Sequence, residues 1–261
     1  MVISTSAYAQ ELAFARQIVA EAGKIAMSYF DTGIKVDTKS DGSPVTRADK
    51  EVEQFIRARL EERFPEDGIL GEEEGEARKK ERTWIVDPID GTYNFARGIP
   101  IWSTLLALEV GQDIVLGIVS APAMNEFFYA EKGHGAFKGD KQIHVSQVNK
   151  LASAMFNFGG PNRIVDKGLW PALTECVKLT ERQRGFGDYL GFSLVFEGRS
   201  EAMLETGVQP WDLAPMKIIV QEAGGEYFDL AGGESIYTGS CLVANRLLMP
   251  EFKRIFYKPK I

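Results

Sequence analysis

The chain has 261 residues, 30 Lys and Arg against 37 Asp and Glu, a formal net charge of −7 and 44% apolar residues, an ordinary globular composition. No uncharged run exceeds 12 residues, too short for a transmembrane helix of about 20. Two cysteines alone, Cys176 and Cys241, exclude a disulfide scaffold, and the acidic balance argues against nucleic acid as a partner.

The opening MVISTSAYAQ ends in an A-x-A-like stretch but lacks a basic region and an apolar core. It therefore reads as the approach to a helix, and a cytoplasmic location is expected. Between residues 10 and 30, Leu12, Ala15, Ile18, Val19, Ala22, Ile25, Ala26 and Tyr29 recur at helical steps. A polar turn at 39–44 follows. Thr46 with Asp49 opens a second helix, with Val52, Phe55, Ile56, Leu60 and Phe64 on its apolar face, and Pro65 to Gly68 end it. Strands are expected at Ile69-Leu70, Thr83 to Val86, Trp102 to Val110 and Ile114 to Val119. Gly111-Gln112-Asp113 joins the last two as a hairpin. Phe127 to Ala130 and Ala136-Phe137 read as further strands.

Beyond about residue 140 the pattern becomes strands alternating with helices, suggesting subdomains 1–140 and 141–261. Strands are expected at Ala154 to Phe158, Ala202 to Leu204 and Ser240 to Ala244. Helices are expected at Leu169 to Leu179, Gly187 to Glu197, Leu213 to Ala223 (ended by Gly224-Gly225) and Pro250 to Phe256. Phe158, Trp170 and Phe192 read as core aromatics.

His134 and His144 lie ten apart with no cysteine nearby, so a zinc site is disfavoured. A metal here would be a hard ion held by carboxylates. Three segments place acids where hydrophobic runs end: Gly71-Glu72-Glu73-Glu74-Gly75, Trp84-Ile85-Val86-Asp87-Pro88-Ile89-Asp90-Gly91-Thr92, and Trp211-Asp212. In the second, a strand delivers Asp87 and Pro88 fixes a turn. Asp90 follows three positions on, and Gly91 and Thr92 open a helix whose free N–H groups suit an anion. Acids for cations beside amides for phosphate are what phosphoryl chemistry requires. Taken singly, each segment has a plainer reading: an Asx turn for Asp87, a solvated loop for the glutamates, a helix cap for Trp211-Asp212. Their joint occurrence favours the site.

Glu72-Glu73, Asp87 to Thr92, and Trp211-Asp212 with Glu222-Ala223-Gly224-Gly225 resemble the signatures of the inositol monophosphatase superfamily, and Pro44-Val45-Thr46 with Asp49 extends the resemblance over nearly the whole chain. It implies a layered αβαβα sandwich of α/β class, a homodimer, two to three Mg2+ per site and lithium sensitivity. By the same resemblance, Glu72, Asp87, the Ile89 carbonyl, Asp90 and Asp212 are metal ligands, and the Gly91 and Thr92 amides bind phosphate. Thr92 and Asp49 activate water, Glu73 supports them, and Glu205 contacts the organic part of a small phosphate ester.

The segments Arg97 to Leu105 and Arg184-Gly185-Phe186-Gly187-Asp188-Tyr189 look more like the histidinol-phosphate phosphatase branch than the inositol branch. A substrate carrying an ammonium and an imidazole would be favoured by added acids at the pocket rim. Asp188 and Glu205 are therefore expected to bind substrate, with Arg184 beside them; Asp188 as a mere helix cap is the plainer alternative. Inositol monophosphate is the alternative substrate, and a partner-binding regulatory protein with incidental phosphatase activity the alternative role.

Overall fold

Helix α1 (Ala9–Tyr29) turns Ala15, Ile18, Val19, Ala22 and Ala26 inward, at the three- and four-residue steps that put them on one face. This computed structural model describes residues 6–38, 44–77 and 81–257. The first five residues and most of the expected turn at 39–44 lie outside that range. Helix α2 (Arg47–Arg63) begins at Thr46, whose hydroxyl accepts the Ala48 N–H while Asp49 accepts the Thr46 N–H. This reciprocal cap is what the Thr46–Asp49 spacing predicts.

Between β3 (Gly68–Gly71) and β10 (Lys141–Ile143) the chain builds an eight-stranded sheet in the order β10-β9-β8-β7-β6-β5-β3-β4. Its centre is β5 (Arg82–Asp90), β6 (Ser103–Val110) and β7 (Asp113–Ala121); β4 is Gly75–Ala77, β8 Glu126–Glu131 and β9 Gly135–Lys138. The five-stranded sheet runs β12-β11-β13-β15-β14, from β11 (Met155–Phe158), β12 (Arg182–Arg184), β13 (Ala202–Thr206), β14 (Gly225–Phe228) and β15 (Ser240–Asn245). A two-stranded ribbon, β1 (Val36–Thr38) with β2 (Pro44–Thr46), precedes α2.

Three apolar cores stack these elements. The first joins α1 and α2 to one face of the large sheet through Ile18, Val52, Trp84 and Leu106. The second fills the space between the sheets with α6 (Asp188–Phe196) and α7 (Pro210–Glu222), through Tyr189, Phe196, Ile219 and Val243. The third covers the outer face of the small sheet with α5 (Trp170–Leu179) and α8 (Met249–Phe256). The order is helix, sheet, helix, sheet, helix. Helix α7 is sandwiched between two sheets and so buries Leu213, Ala214, Met216, Ile218, Ile219 and Val220, leaving no polar face of the usual kind. The strands of the two sheets come from separate stretches, before Ile143 and after Met155, while the middle core draws on both.

Several expectations change. The turn assigned to Pro88 is absent: β5 continues through it to Asp90, with a break in register between Asp87, opposite Leu105, and Asp90, opposite Ser103. Proline has no N–H for the ladder and is tolerated at such a bulge. The strands β1, β2, β4, β10, β12 and β14 have only three or four residues each, too few for an alternating pattern to announce them. Trp170 is 48% exposed because it sits at the first position of α5, outside the core expected for it.

Candidate active site

The bulge in β5 makes the acidic cluster possible. In a regular strand, residues three apart face opposite sides. Here Asp87 and Asp90 oppose Leu105 and Ser103, two apart on the partner strand, so the extra residue returns Asp90 to the side of Asp87. Asp212 arrives from another layer, on the first turn of α7, where its Oδ2 accepts the Gln209 N–H at 2.7 Å. It is both a cap and a member of the cluster. Oxygens of Asp87, Asp90 and Asp212 lie within 4.8 Å of one another.

Glu72 follows β3, the strand parallel to β5, and comes within hydrogen-bonding range of Asp87. Burial, then the neighbouring charges of Glu72, Asp212 and Asp90, push the Asp87 carboxyl well above the usual range. Asp90 is raised by desolvation and by Asp188 and Asp212, against a 2.8 Å hydrogen bond from the Tyr189 N–H. Asp212 is pushed up to about 7, first by desolvation. Asp87 Oδ1 is buried without a hydrogen-bond partner. A group of buried and half-buried carboxylates in mutual repulsion with an orphaned oxygen is the donor set of a hard divalent cation, and the residues fit one.

Beside the acids, Gly91 caps the short helix α3 (Thr92–Ala96) with φ +84°. A Cβ there would stand 3.1 Å from the Ile101 carbonyl oxygen, so glycine suits both the left-handed backbone and the close approach. The Thr92 hydroxyl lies 3.1 Å from both Asp49 Oδ1 and the Ile89 carbonyl oxygen. Asp49 is buried and raised by that burial. The Glu73 N–H donates to Glu53 on α2 at 2.7 Å.

Glu72, Asp90, Gly91, Thr92 and Asp212 line a cleft of about 310 Å³ together with Asp188 and Glu205, and Asp188 stands beside Gly91. Asp188 does not cap its helix; Gly187 holds that position. Instead Asp188 takes φ +52° and accepts a 2.9 Å hydrogen bond from Asn94 Nδ2. Glu205, next to the last residue of β13, is almost wholly buried, and its Oε1 accepts from Arg163 Nη2 at 2.8 Å while Oε2 has no partner. Arg184 is not brought to the cleft: it sits on the edge strand β12, and its guanidinium donates to the Gln183 carbonyl. The cation in the cleft lining is Arg163, from α4 (Pro161–Asp166), which sequence reasoning missed because Gly159-Gly160-Pro161 reads only as a turn. Asn94 was also missed, although it stands three residues after Gly91, just beyond the Trp84–Thr92 segment.

The layered frame and the acid-lined cleft beside Gly91 and Thr92 define a phosphatase-type hydrolase. The model of the inositol monophosphatase family matches residues 8–257, and the chain belongs to that family. It is 36% identical over 254 residues to a histidinol-phosphatase of Streptomyces coelicolor, covering 94% of this chain and 96% of that one. It is 40% identical over 224 residues to a histidinol-phosphatase of Mycobacterium tuberculosis, covering 84% and 86%. Among solved structures, the extragenic suppressor protein SuhB of Bartonella henselae superposes with a TM-score of 0.88 at 29% identity, covering 95% and 99%.

Proposed function

We propose that the chain is a Mg2+-dependent phosphomonoesterase acting on histidinol phosphate. The observation that carries the reading is the pairing of a repelling carboxylate cluster, Asp87, Asp90 and Asp212, with a further acid, Asp188, in the lining of the same cleft. Glu72, Asp87, Asp90, Asp212 and the Ile89 carbonyl would hold two to three Mg2+. When bound, the metal neutralises phosphate charge and lowers the proton affinity of water.

The chain's own groups supply the rest. The Gly91 and Thr92 amides receive phosphate oxygens at the start of α3. The Thr92 hydroxyl, set between Asp49 Oδ1 and the Ile89 carbonyl, orients the attacking water and hands its proton toward Asp49. The raised proton affinity of Asp49 suits that task, and Glu73 is assigned as a supporting acid by the family resemblance alone. Asp188 takes a basic group of the substrate, through a charge-assisted hydrogen bond. Neither cysteine is placed as a nucleophile; both are buried, and burial raises both thiols.

One observation favours inositol 1-phosphate instead. Glu205 is already engaged by Arg163, so one of the two acids expected to greet a doubly basic substrate is partly used, and a hydroxyl-rich ring would find both a donor and an acceptor there. A phosphate-release panel separates the readings. With Mg2+, histidinol phosphate is expected to give the highest kcat/KM, and chelation is expected to abolish turnover until Mg2+ is restored. A preference for inositol 1-phosphate overturns the substrate, and turnover indifferent to chelation overturns the metal.

A further inference from the structure

Glu53 lies on α2, outside the cleft and fully buried. Its Oε2 accepts the Glu73 N–H at 2.7 Å, and its Oε1 accepts the Glu74 N–H at 3.0 Å and Arg57 Nε at 2.8 Å. Arg57, one helical turn on, also reaches over to the Gly75 carbonyl. The turn between β3 and β4 is thus clamped from below at Glu73, Glu74 and Gly75, immediately after Glu72. The clamp leaves no room for a side chain at Gly71, where a Cβ would meet Glu53 Oε1 at 2.2 Å and Arg57 Nη2 at 2.7 Å. From above, the Glu72 N–H donates to the Val86 carbonyl of β5. The run Gly71-Glu72-Glu73-Glu74-Gly75 has no apolar anchor of its own, so these contacts hold its backbone in place.

We propose that Glu53, locked by Arg57, is the positioning residue that aims Glu72 at Asp87 and thereby sets the affinity of the cluster for Mg2+. This rests on Glu72 being a ligand, as argued above. A carboxylate is required because three donors converge on Glu53 and its two oxygens only accept. In Glu53→Gln the single amide oxygen serves one side of the clamp, and the NH2 group confronts either the Glu73 N–H or the Glu74 N–H with Arg57. The shape is kept; the clamp is not.

The test compares the full-length wild type, Glu53→Gln, Arg57→Gln and Asp87→Asn by calorimetric titration with Mg2+, alongside steady-state turnover at varied Mg2+. Glu53→Gln is expected to weaken Mg2+ binding by about tenfold to a hundredfold, as loss of the groups that orient ligands does. Its kcat is expected to return to within about threefold of wild type at saturating Mg2+, because the metal can still draw Glu72 into place. A role confined to folding lowers the metal-free melting temperature and leaves Mg2+ affinity unchanged, and that result overturns the proposal. If Glu53→Gln does not fold, Arg57→Gln carries the same expectation in the same direction, and its binding Mg2+ like wild type overturns the proposal equally. Asp87→Asn separates this proposal from the site reading beneath it. Mg2+ binding lost in Asp87→Asn but unchanged in Glu53→Gln removes the brace alone, whereas binding retained in Asp87→Asn removes the metal site and the brace with it.

Discussion

Asp188 occupies the left-handed backbone region at φ +52°, a conformation that asparagine and aspartate tolerate better than most side chains. Its carboxylate is held by Asn94 and lines the cleft, so the backbone conformation is coupled to the placement of the acid. Burial raises its proton affinity, against the pull of Arg163 and Asn94. An acid here distinguishes a cationic substrate from a neutral polyol, since a charge-assisted hydrogen bond contributes about 1.5–3 kcal/mol. Asp188→Asn keeps the shape, the backbone preference and an acceptor for Asn94, and removes only the charge. It is expected to lower kcat/KM for histidinol phosphate by about tenfold or more, and that for inositol 1-phosphate by less than about threefold. Equal losses on the two esters, measured by phosphate release, remove Asp188 from specificity.

Helix α7 shows how an element serves site and core together. Its first turn presents Asp212 to the cluster, and its body lies in the middle core between the two sheets. Its position along its own axis is therefore fixed by packing on both sides, which is what a residue delivered from a distant stretch of chain needs. Ile219, fully buried in that core, is expected to cost about 2–5 kcal/mol on truncation to alanine. Val177 on the outer helix α5, 44% exposed, is expected to change stability by less than about 0.5 kcal/mol on the same truncation. Denaturant melts of the two variants check the contrast, and equal losses would contradict the sandwiched placement of α7.

For the molecule as a whole, the acidic cluster ties stability to pH and, through the metal proposed above, to Mg2+. Asp87 and Asp90 are raised well above an ordinary carboxyl and Asp212 to about 7, against about 3.9 in an unfolded chain. Between about pH 4 and 7 the folded state therefore binds more protons than the unfolded state, and stability falls as pH rises through that window. Each tenfold rise in a group's proton affinity on folding is about 1.4 kcal/mol present at low pH and lost above the folded pKa. In chelator, the melting temperature is expected to fall from pH 5 to pH 8 by more than the rest of the chain accounts for. If the ionised acids of the folded state hold Mg2+ as proposed, saturating Mg2+ is expected to remove most of that fall. Thermal melts at both pH values with and without Mg2+ check this, and a chelated protein that gains stability toward pH 8 contradicts the assigned cluster.

The sequence by itself determined the long elements and the identity of the acids. The three- and four-residue steps of α1 and α2, the Thr46–Asp49 cap and the hairpin at Gly111 are local patterns, and local patterns survive in one dimension. So does the placing of Glu72, Asp87, Asp90 and Asp212 at the ends of apolar runs. The tertiary structure decided how they meet. A bulge at Pro88, invisible without the partner strand, returned Asp90 to the side of Asp87. The cation in the cleft lining is Arg163, while Arg184 lies on an edge strand. The clamp from Glu53 and Arg57 looks in sequence like an ordinary pair on a solvated helix face, and only the packing of α2 beneath the β3–β4 turn gives it work to do. Periodicity reports which face of an element is buried, but which distant group lies against it depends on how the layers stack.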